Sequence, residues 1–286
     1  MSTASKEHVA TSHWDSTLDV WRCLKCRGSL QYEPSANALI CSGCATRLPI
    51  DNEILVARGE TSDNNHVAQQ FYDSPLWPKF RFWEHFTWFC NGGERRARNK
   101  VLRHLPKTPN LDLLDVAVGD GVYLDWLPAD WRVVGVDISR SQLQACRRRV
   151  AGRPVWLAQG EAEELPLESQ SFDAVLSIGA FNYFNDPALA LREMVRVARP
   201  GAPIVVADEL PNLTDRMLGH KLGIPAIDRW VVSRMMHLGD SFTEMVERHR
   251  DLDVKAVASQ VFKDFHYEPV WWGVGYVLVG HAPSGA

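Results

Sequence analysis

Short, uninterrupted apolar runs alternate along this 286-residue chain with segments whose apolar positions recur at helical spacing. LDLLDV and RVVGVD bracket a glycine-bearing turn and a helix-like stretch between Leu111 and Asp137, and further runs fall in SFDAVLSIG (171–179) and APIVVADE (202–209). Runs apolar at every position suit strands buried on both faces of a parallel sheet. Between them, SRSQLQACRRR and the apolar positions 189, 191, 194, 195 and 198 keep a helical period, with Asp186 and Pro187 opening the second helix. The expected fold class is α/β, with a mostly parallel sheet. HYEPV and GVGYVLVGH, either side of a turn at Pro269–Gly273, read as a C-terminal antiparallel hairpin that finishes it.

Other stretches break this rhythm. Residues 1–20 carry neither period and are expected to be a flexible tail. From Asn64 to Asn91 aromatic residues crowd together, Phe71, Tyr72, Trp77, Phe80, Phe82, Trp83, Phe86, Trp88 and Phe89 among them, with Pro75 and Pro78 dividing the segment. Helical spacing of 82, 83, 86 and 89 predicts helix, turn, helix: an aromatic lid over something apolar. GERRARNKVLRHL follows as an amphipathic helix, with Arg95, Arg96, Arg98, Lys100 and Arg103 on a face expected to be solvated. Residues 211–251 alternate helical pieces with Gly and Pro breaks, a roof that Met217, Leu218, Ile224, Trp230, Met235 and Met236 would line or support. The expected division is tail 1–20, cysteine module 21–60, helical lid 61–105 and main domain 106–286.

Four cysteines change the picture of the N-terminal region. Cys23 and Cys26 form one C-x-x-C, Cys41 and Cys44 another, separated by a hairpin-like SLQYEP…ALIC. Two such knuckles bring four thiolates to the corners of a tetrahedron, the arrangement of a zinc ribbon. Two disulfides would need an oxidising compartment, and a redox dithiol has no use for a twin. Four thiolates also saturate the ion, so the zinc would be structural, making up for a core that some forty residues cannot build alone. Cys90 and Cys146 lie in apolar or helical surroundings and are expected to be buried.

Charge excludes one broad class and composition another. A net charge of −4 and a pI near 6.2 argue against a chain that lives on nucleic acid, which needs a basic footprint. No apolar run is long enough to span a bilayer, and the first residues are polar where an export signal needs an apolar core; a cytoplasmic location is the expectation.

The Leu111–Asp137 layout is that of a βαβ nucleotide-binding unit, where Gly119 and Gly121 let backbone approach a cofactor and Asp137 can accept from two ribose hydroxyls. Asp115, the DVAVGDG turn, Asp137 in VVGVDIS, Glu161-Ala162 before Leu165-Pro166, SFDAVLSIG and VRVARPGAPIVVADE occur in an order that resembles the class I S-adenosylmethionine-dependent methyltransferases, most closely the ubiquinone/menaquinone-biosynthesis type (methyltransferase type 11). The resemblance covers about residues 65–210 and implies a Rossmann-like class I methyltransferase sheet behind the ribbon.

It implies roles residue by residue. Asp115, Ala117, Gly119 and Gly121 would hold the amino-acid part of the cofactor, Ala117 standing where many members have Gly. Asp137 would take the ribose, Ile138 would pack on the adenine, and Gln142 would meet its edge. Glu161, in place of the usual Asp, would accept from the adenine amino group, and Ala162 would offer its amide. Tyr72 would face the cofactor from the lid, and Ser177 and Gly179 would lie beside the methyl group. Asn182 and Tyr183 would border the substrate or cap the helix behind them.

A phenol or enol acceptor must lose a proton, for which His is the usual base near neutral pH. His220 in the roof is the first candidate, His85 in the lid the second, and His266 is a third histidine near the sheet end. The acidic balance and aromatic lid favour a small, largely apolar or aromatic substrate, methylated at oxygen or carbon, as in secondary metabolism. The alternative is an rRNA guanine methyltransferase gripping RNA through Arg22, Lys25, Arg27 and Arg47 of the ribbon. A second alternative is a non-catalytic scaffold that binds a partner protein. Oligomeric state stays open.

Overall fold

The computed structural model describes residues 13–58, 61, 63–90, 92–211, 219, 222–236 and 250–284. Strands β1 (Leu30–Glu33), β2 (Ala38–Cys41), β3 (Arg47–Asp51), β4 (Ile54–Val56), β5 (Asp112–Val116), β6 (Arg132–Asp137), β7 (Val155–Gln159), β8 (Ala174–Ile178), β9 (Pro203–Glu209), β10 (His266–Val270) and β11 (Gly275–His281) join in one sheet. Their order is β1-β2-β3-β4-β7-β6-β5-β8-β9-β11-β10. From β4 to β9 neighbours are parallel, whereas β9, β11 and β10 pair antiparallel, as do β1 to β4.

Every residue of β7 and β8 is buried, as an unbroken apolar run requires of a central parallel strand. Alternate residues feed two cores: Leu114, Val134, Val175 and Val206 point to one face, Leu113, Val133, Leu176 and Val205 to the other. Helix α5 (Pro187–Val197) covers the first face with Leu191, Met194 and Val197. Helices α3 (Glu94–Leu102) and α4 (Arg140–Arg149) cover the second with Ala97, Val101, Leu143 and Cys146. Helices α4 and α5 each start on a side-chain cap, Ser139 Oγ accepting from Gln142 N at 3.2 Å and Asp186 Oδ1 from Leu189 N at 2.9 Å. Leu189, placed on the buried face by its spacing, is 39% exposed instead.

Two boundaries differ from the sequence expectation. Residues 13–20 are not a flexible tail: His13–Thr17 is a 3₁₀ turn with Trp14 buried, and Val20 and Trp21 are buried too. Indoles outweigh the missing period here, because His13 stacks on Trp156 at 4.6 Å and accepts its Nε1–H at 2.8 Å. Nor is the cysteine module a bead on a string. Its last strand, β4, joins β7 in parallel, Ile54, Leu55 and Val56 facing Leu157, Ala158 and Gln159, and Leu30, Leu39, Leu48 and Leu55 enter the same core as α5.

The aromatic segment forms α1 (Asp63–Tyr72) and α2 (Trp77–Cys90), with Pro75 in the break and Pro78 inside the first turn of α2, where its missing N–H costs nothing. Of the roof, the helix Pro225–Met236 is described; Met217 and Leu218 lie outside the described residues, as do the side chains of Met235 and Met236. Trp230 there is 55% exposed and Ile224 50%, so neither supports a buried lining. The hairpin turn is a left-handed kink at Trp271, Trp272 and Gly273, with Pro269 inside edge strand β10.

Candidate functional site

Two sites emerge, one of sulfur and one at the strand ends. Cys23, Cys26, Cys41 and Cys44 bring their Sγ atoms within 4.8 Å of one another, Cys26 to Cys41 at 3.3 Å and Cys23 to Cys44 at 3.7 Å. A tetrahedral ion with Zn–S near 2.3 Å sets sulfurs about 3.8 Å apart, so the set fits zinc and leaves no open position. The cradle is closed tightly enough that a Cβ on Gly28 would stand 3.1 Å from Cys41 Sγ and 3.2 Å from Cys26 Sγ. Gly43 N donates to Cys41 Sγ at 3.4 Å, and the Thr46 hydroxyl lies 3.1 Å from Cys44 Sγ, polar partners that support thiolate sulfurs.

The second site is a cavity open to solvent at the carboxyl ends of β5, β6, β8 and β9. Strand order reverses there, with β6 on one side of β5 and β8 on the other, which opens a crevice for a ligand. Strand-end residues form one part of its lining: Val116–Asp120, Val136–Ile138, Gly160, Ala162 and Gly179. Gly119 has φ +56°, and Ala117 is held at φ +60°, a conformation that costs an alanine about 1 kcal/mol or more. Asp137 locks the turn in place. Its Oδ2 accepts from Gly119 N and its Oδ1 from Ser139 N, both at 2.8 Å, while burial pushes the acid up to about 6 against the pull of those amides.

Tyr72, Ala117, Gly119, Asp137, Ile138, Gln142 and Ala162 line this cavity together. Asp115, Gly121 and Ser177 lie behind its wall. Asp115 is fully buried, accepts from Tyr123 OH at 3.0 Å, leaves Oδ2 without a partner, and is driven by burial up to about 8. Gly121 serves packing: a Cβ there would meet Cys146 Sγ at 2.5 Å. Ser177 Oγ is buried and unpartnered. Glu161 does not turn to the cavity. Its carboxylate faces Arg58 at 3.0 Å, because a side chain one methylene longer than Asp reaches the cation on the ribbon side.

The histidines disperse. His85 is exposed, its Nδ1 lying 2.5 Å from Arg81 O within its own helix, and His266 is exposed beside Glu268 at 3.7 Å. His220 lies outside the described residues. No histidine among the described residues lines the cavity. Asn182 is structural, donating to Glu209 O at 2.6 Å and accepting from Tyr276 OH at 3.0 Å, whereas Tyr183 lines the cavity.

Side chains form the opposite wall, and several were not legible beforehand. Phe71, Trp77, Phe80 and Trp88 descend from the lid, and Trp271 rises from the hairpin kink with its Nε1 on Ala97 O at 3.1 Å. Arg98, expected in solvent, is 6% exposed; its guanidinium stands 5.3 Å from the Trp88 ring and 5.4 Å from that of Tyr123, with Glu94 at 3.0 Å. The i, i+4 spacing to Glu94 was the one sequence signal for it. Asp208, at the end of β9, lines the cavity at 1% exposure, accepting from Asn182 N at 2.9 Å and Glu209 N at 2.8 Å. Burial pushes it up to about 7. Asp73 ties lid to sheet, accepting from Ser139 Oγ at 2.6 Å and Ser141 N at 3.1 Å, and Gln69 donates to Ile138 O at 2.9 Å.

Comparison with known proteins agrees with this geometry. Residues 114–206 match the family model described as a methyltransferase domain. The chain is 39% identical over 120 residues, 41% of its length and 49% of the relative's, to a demethylmenaquinone methyltransferase of Renibacterium salmoninarum. It is 33% identical over 105 residues to phthiotriol/phenolphthiotriol dimycocerosates methyltransferase 1 of Mycobacterium ulcerans, 35% of this chain and 38% of that one. The chain thus spans about half the length of the first of these relatives and less of the second. Among solved structures, a SAM-dependent methyltransferase of Thermotoga maritima superposes with a TM-score of 0.53 at 18% identity, over 77% of this chain and all of that one, which shows the shared fold.

Proposed function

We infer that this chain, whose residues 114–206 are a methyltransferase domain, transfers a methyl group from S-adenosylmethionine to a small, largely apolar or aromatic acceptor. The observation that carries this is Asp137 at a strand end beside the switch point, lining a cavity that the glycine-bearing strand ends share with the aromatic residues of the lid. When bound, the cofactor supplies an electrophilic methyl carbon on a sulfonium. Asp137 keeps lone pairs beyond the two amide bonds it accepts, and those suit ribose hydroxyls. Arg98 places a cation at the Gly119–Tyr123 end of the cavity, where it suits the cofactor's carboxylate.

On the other wall, Phe80, Trp77, Trp88 and Trp271 exclude water and offer flat apolar surface, so desolvation and positioning supply most of the rate. Asp208 takes the proton of the acceptor, in place of His85 and His266, which lie away from the cavity. It is buried in the cavity, and at about 7 it is poised between acid and base. The ribbon's basic cluster is engaged at home, which weakens the RNA alternative: Arg22 pairs with Glu168, Arg27 donates to Leu165 O and Leu167 O, and Arg47 donates to Ala36 O.

The test is calorimetry with S-adenosylhomocysteine, followed by transfer of labelled methyl to a set of phenols, naphthols and quinols. Micromolar binding with turnover of at least one of them supports the assignment. Absence of binding overturns it, and labelling of rRNA fragments alone overturns the acceptor class. No helix among the described residues is long and apolar enough to cross a membrane.

A further inference from the structure

The strand-end wall of the cavity stands on the cysteine module. Residues 159–168 supply two cavity-lining positions, Gly160 and Ala162, and this segment is gripped from the ribbon side along its whole length. At its start, Ala57 N and Arg58 N both donate to Gln159 O at 3.1 Å. In its middle, the Arg58 guanidinium reaches Glu161 at 3.0 Å and also Glu164. Toward its end, Arg27 donates to Leu165 O at 2.9 Å and Leu167 O at 2.8 Å, Arg22 N donates to Pro166 O at 2.8 Å, and Glu168 N donates to Val20 O at 2.8 Å.

Arg27 links this grip to the metal site directly. It follows Cys26 in the first knuckle, its N–H closes the knuckle turn on Cys23 O at 2.8 Å, and its backbone is held at φ +59°. A left-handed arginine is an unfavourable conformation that persists only where its surroundings impose it, and the surroundings here are four thiols drawn together. The far end of the segment feeds the cofactor wall just as directly: Gly160 N donates to Asp137 O at 3.0 Å, and Gln159 Nε2 donates to Ile138 O at 3.2 Å.

We propose that the four-cysteine ribbon is a positioning element of the cofactor site, with Arg27 and Arg58 transmitting its hold to residues 159–165 so that metal occupancy sets cofactor affinity. The proposal rests on the cofactor assignment above. The coupling is graded rather than all-or-none, since α5 holds the same segment from behind. Arg196 donates to Leu167 O at 2.8 Å and Leu165 O at 3.2 Å, and Glu193 accepts from Leu165 N at 3.0 Å. Arg58 is 37% exposed and Arg27 is exposed as well, which lowers what each contact contributes. Linkage makes the effect reciprocal, so a bound cofactor tightens the metal site by the same factor.

The test uses the full zinc-loaded chain, the same chain after chelation, and the variants Arg58→Gln and Arg27→Asn, the latter because Asn accepts a left-handed backbone. Titration with S-adenosylhomocysteine should show the dissociation constant rising about tenfold for Arg58→Gln and about threefold to fivefold for Arg27→Asn, as expected for charge-assisted bonds discounted for exposure. Zinc content measured beside it should stay at one ion per chain. Chelation should weaken binding at least as much as Arg27→Asn. Hydrogen exchange without any ligand supplies an independent readout: amides of 159–168 should exchange faster in the stripped chain and in both variants, with β5 and β8 unchanged. Unaltered affinity in both zinc-retaining variants, or unaltered exchange across 159–168, overturns the proposal. If the wild-type chain binds no S-adenosylhomocysteine, the cofactor assignment fails and the exchange data alone decide the coupling.

Discussion

The two walls of the cavity are built from different material. The cofactor wall comes from strand ends: Ala117, Gly119, Gly160 and Gly179 line it, their amides held inside the sheet by Val136 O, Asp137 Oδ2, Asp137 O and Ala207 O. The acceptor wall is side chain: Trp77 and Trp88 from α2, Asp208 from β9 and Trp271 from the hairpin kink. The strand-end wall follows from the sheet itself, because β5, β7 and β8 deliver its residues to one edge. The side-chain wall needs three separated segments to converge, and so it can be exchanged piece by piece without touching the sheet. The same fold can therefore keep one methyl donor while changing acceptors.

Breaking the first wall should give the largest effect. Asp137→Ala strands the amides of Gly119 and Ser139 and removes the ribose acceptor at once. Loss of a charged acceptor of this kind costs about 2–3 kcal/mol, so S-adenosylhomocysteine affinity should fall roughly 100-fold or more by calorimetry. Breaking the second wall should leave that affinity alone. Asp208→Asn keeps the shape and can still accept from Asn182 N and Glu209 N, yet it cannot take a proton. Turnover should fall by about 100-fold, with unchanged cofactor binding. In the wild type, kcat should climb through about pH 7 as Asp208 ionises, and that limb should vanish in the variant.

How far each wall was legible follows from the same contrast. LDLLDVAVGDG and VVGVD announce the turn, the strand-end acid and the parallel character of the sheet, because burial on both faces forces unbroken apolar runs. C-x-x-C twice announces the metal site, since ligand spacing is local. Arg98 was assigned to solvent because a helical period reports which face is apolar, not that the Trp88 and Tyr123 rings will cover the next residue. Glu161 was assigned to adenine because family position outweighed side-chain length; Arg58, more than a hundred positions away in sequence, was invisible as its partner. The histidines were chosen for their usual chemistry near neutral pH. A buried carboxylate takes the same pKa range from its surroundings, which no sequence pattern displays.

Arg98 sits where the walls meet, and it separates them by ligand. Arg98→Met keeps the stem volume between Trp88 and Tyr123 but loses the cation. S-adenosylhomocysteine should bind about tenfold more weakly, one charge-assisted hydrogen bond's worth, while 5′-methylthioadenosine, which lacks the amino-acid part, should bind as before. Equal loss for both ligands would assign Arg98 to packing and return it to the lid.

The buried acids give the smallest and most general effect, seen in stability without any ligand. Asp137, Asp208 and Asp115 are raised by burial to about 6, about 7 and about 8, from an ordinary value near 3.8. Each folded acid therefore keeps its proton where the unfolded chain has lost it. The stability they contribute is fully present below the unfolded value and declines as pH rises, ending once pH passes the folded value. Between pH 6 and pH 8 the slope is set mostly by Asp208 and Asp115, each costing at most about 1.4 kcal/mol per pH unit while it remains protonated in the fold. Thermal unfolding should show the midpoint dropping across that window. Asp115→Asn, which cannot ionise and whose side chain can still accept from Tyr123 OH, should remove Asp115's share of the slope, whereas Asp137→Asn should change it little because its range ends near pH 6. An unchanged slope in Asp115→Asn would mean that Tyr123 and nearby Arg98 hold Asp115 ionised, and that both walls of the cavity share a charge the fold has already absorbed.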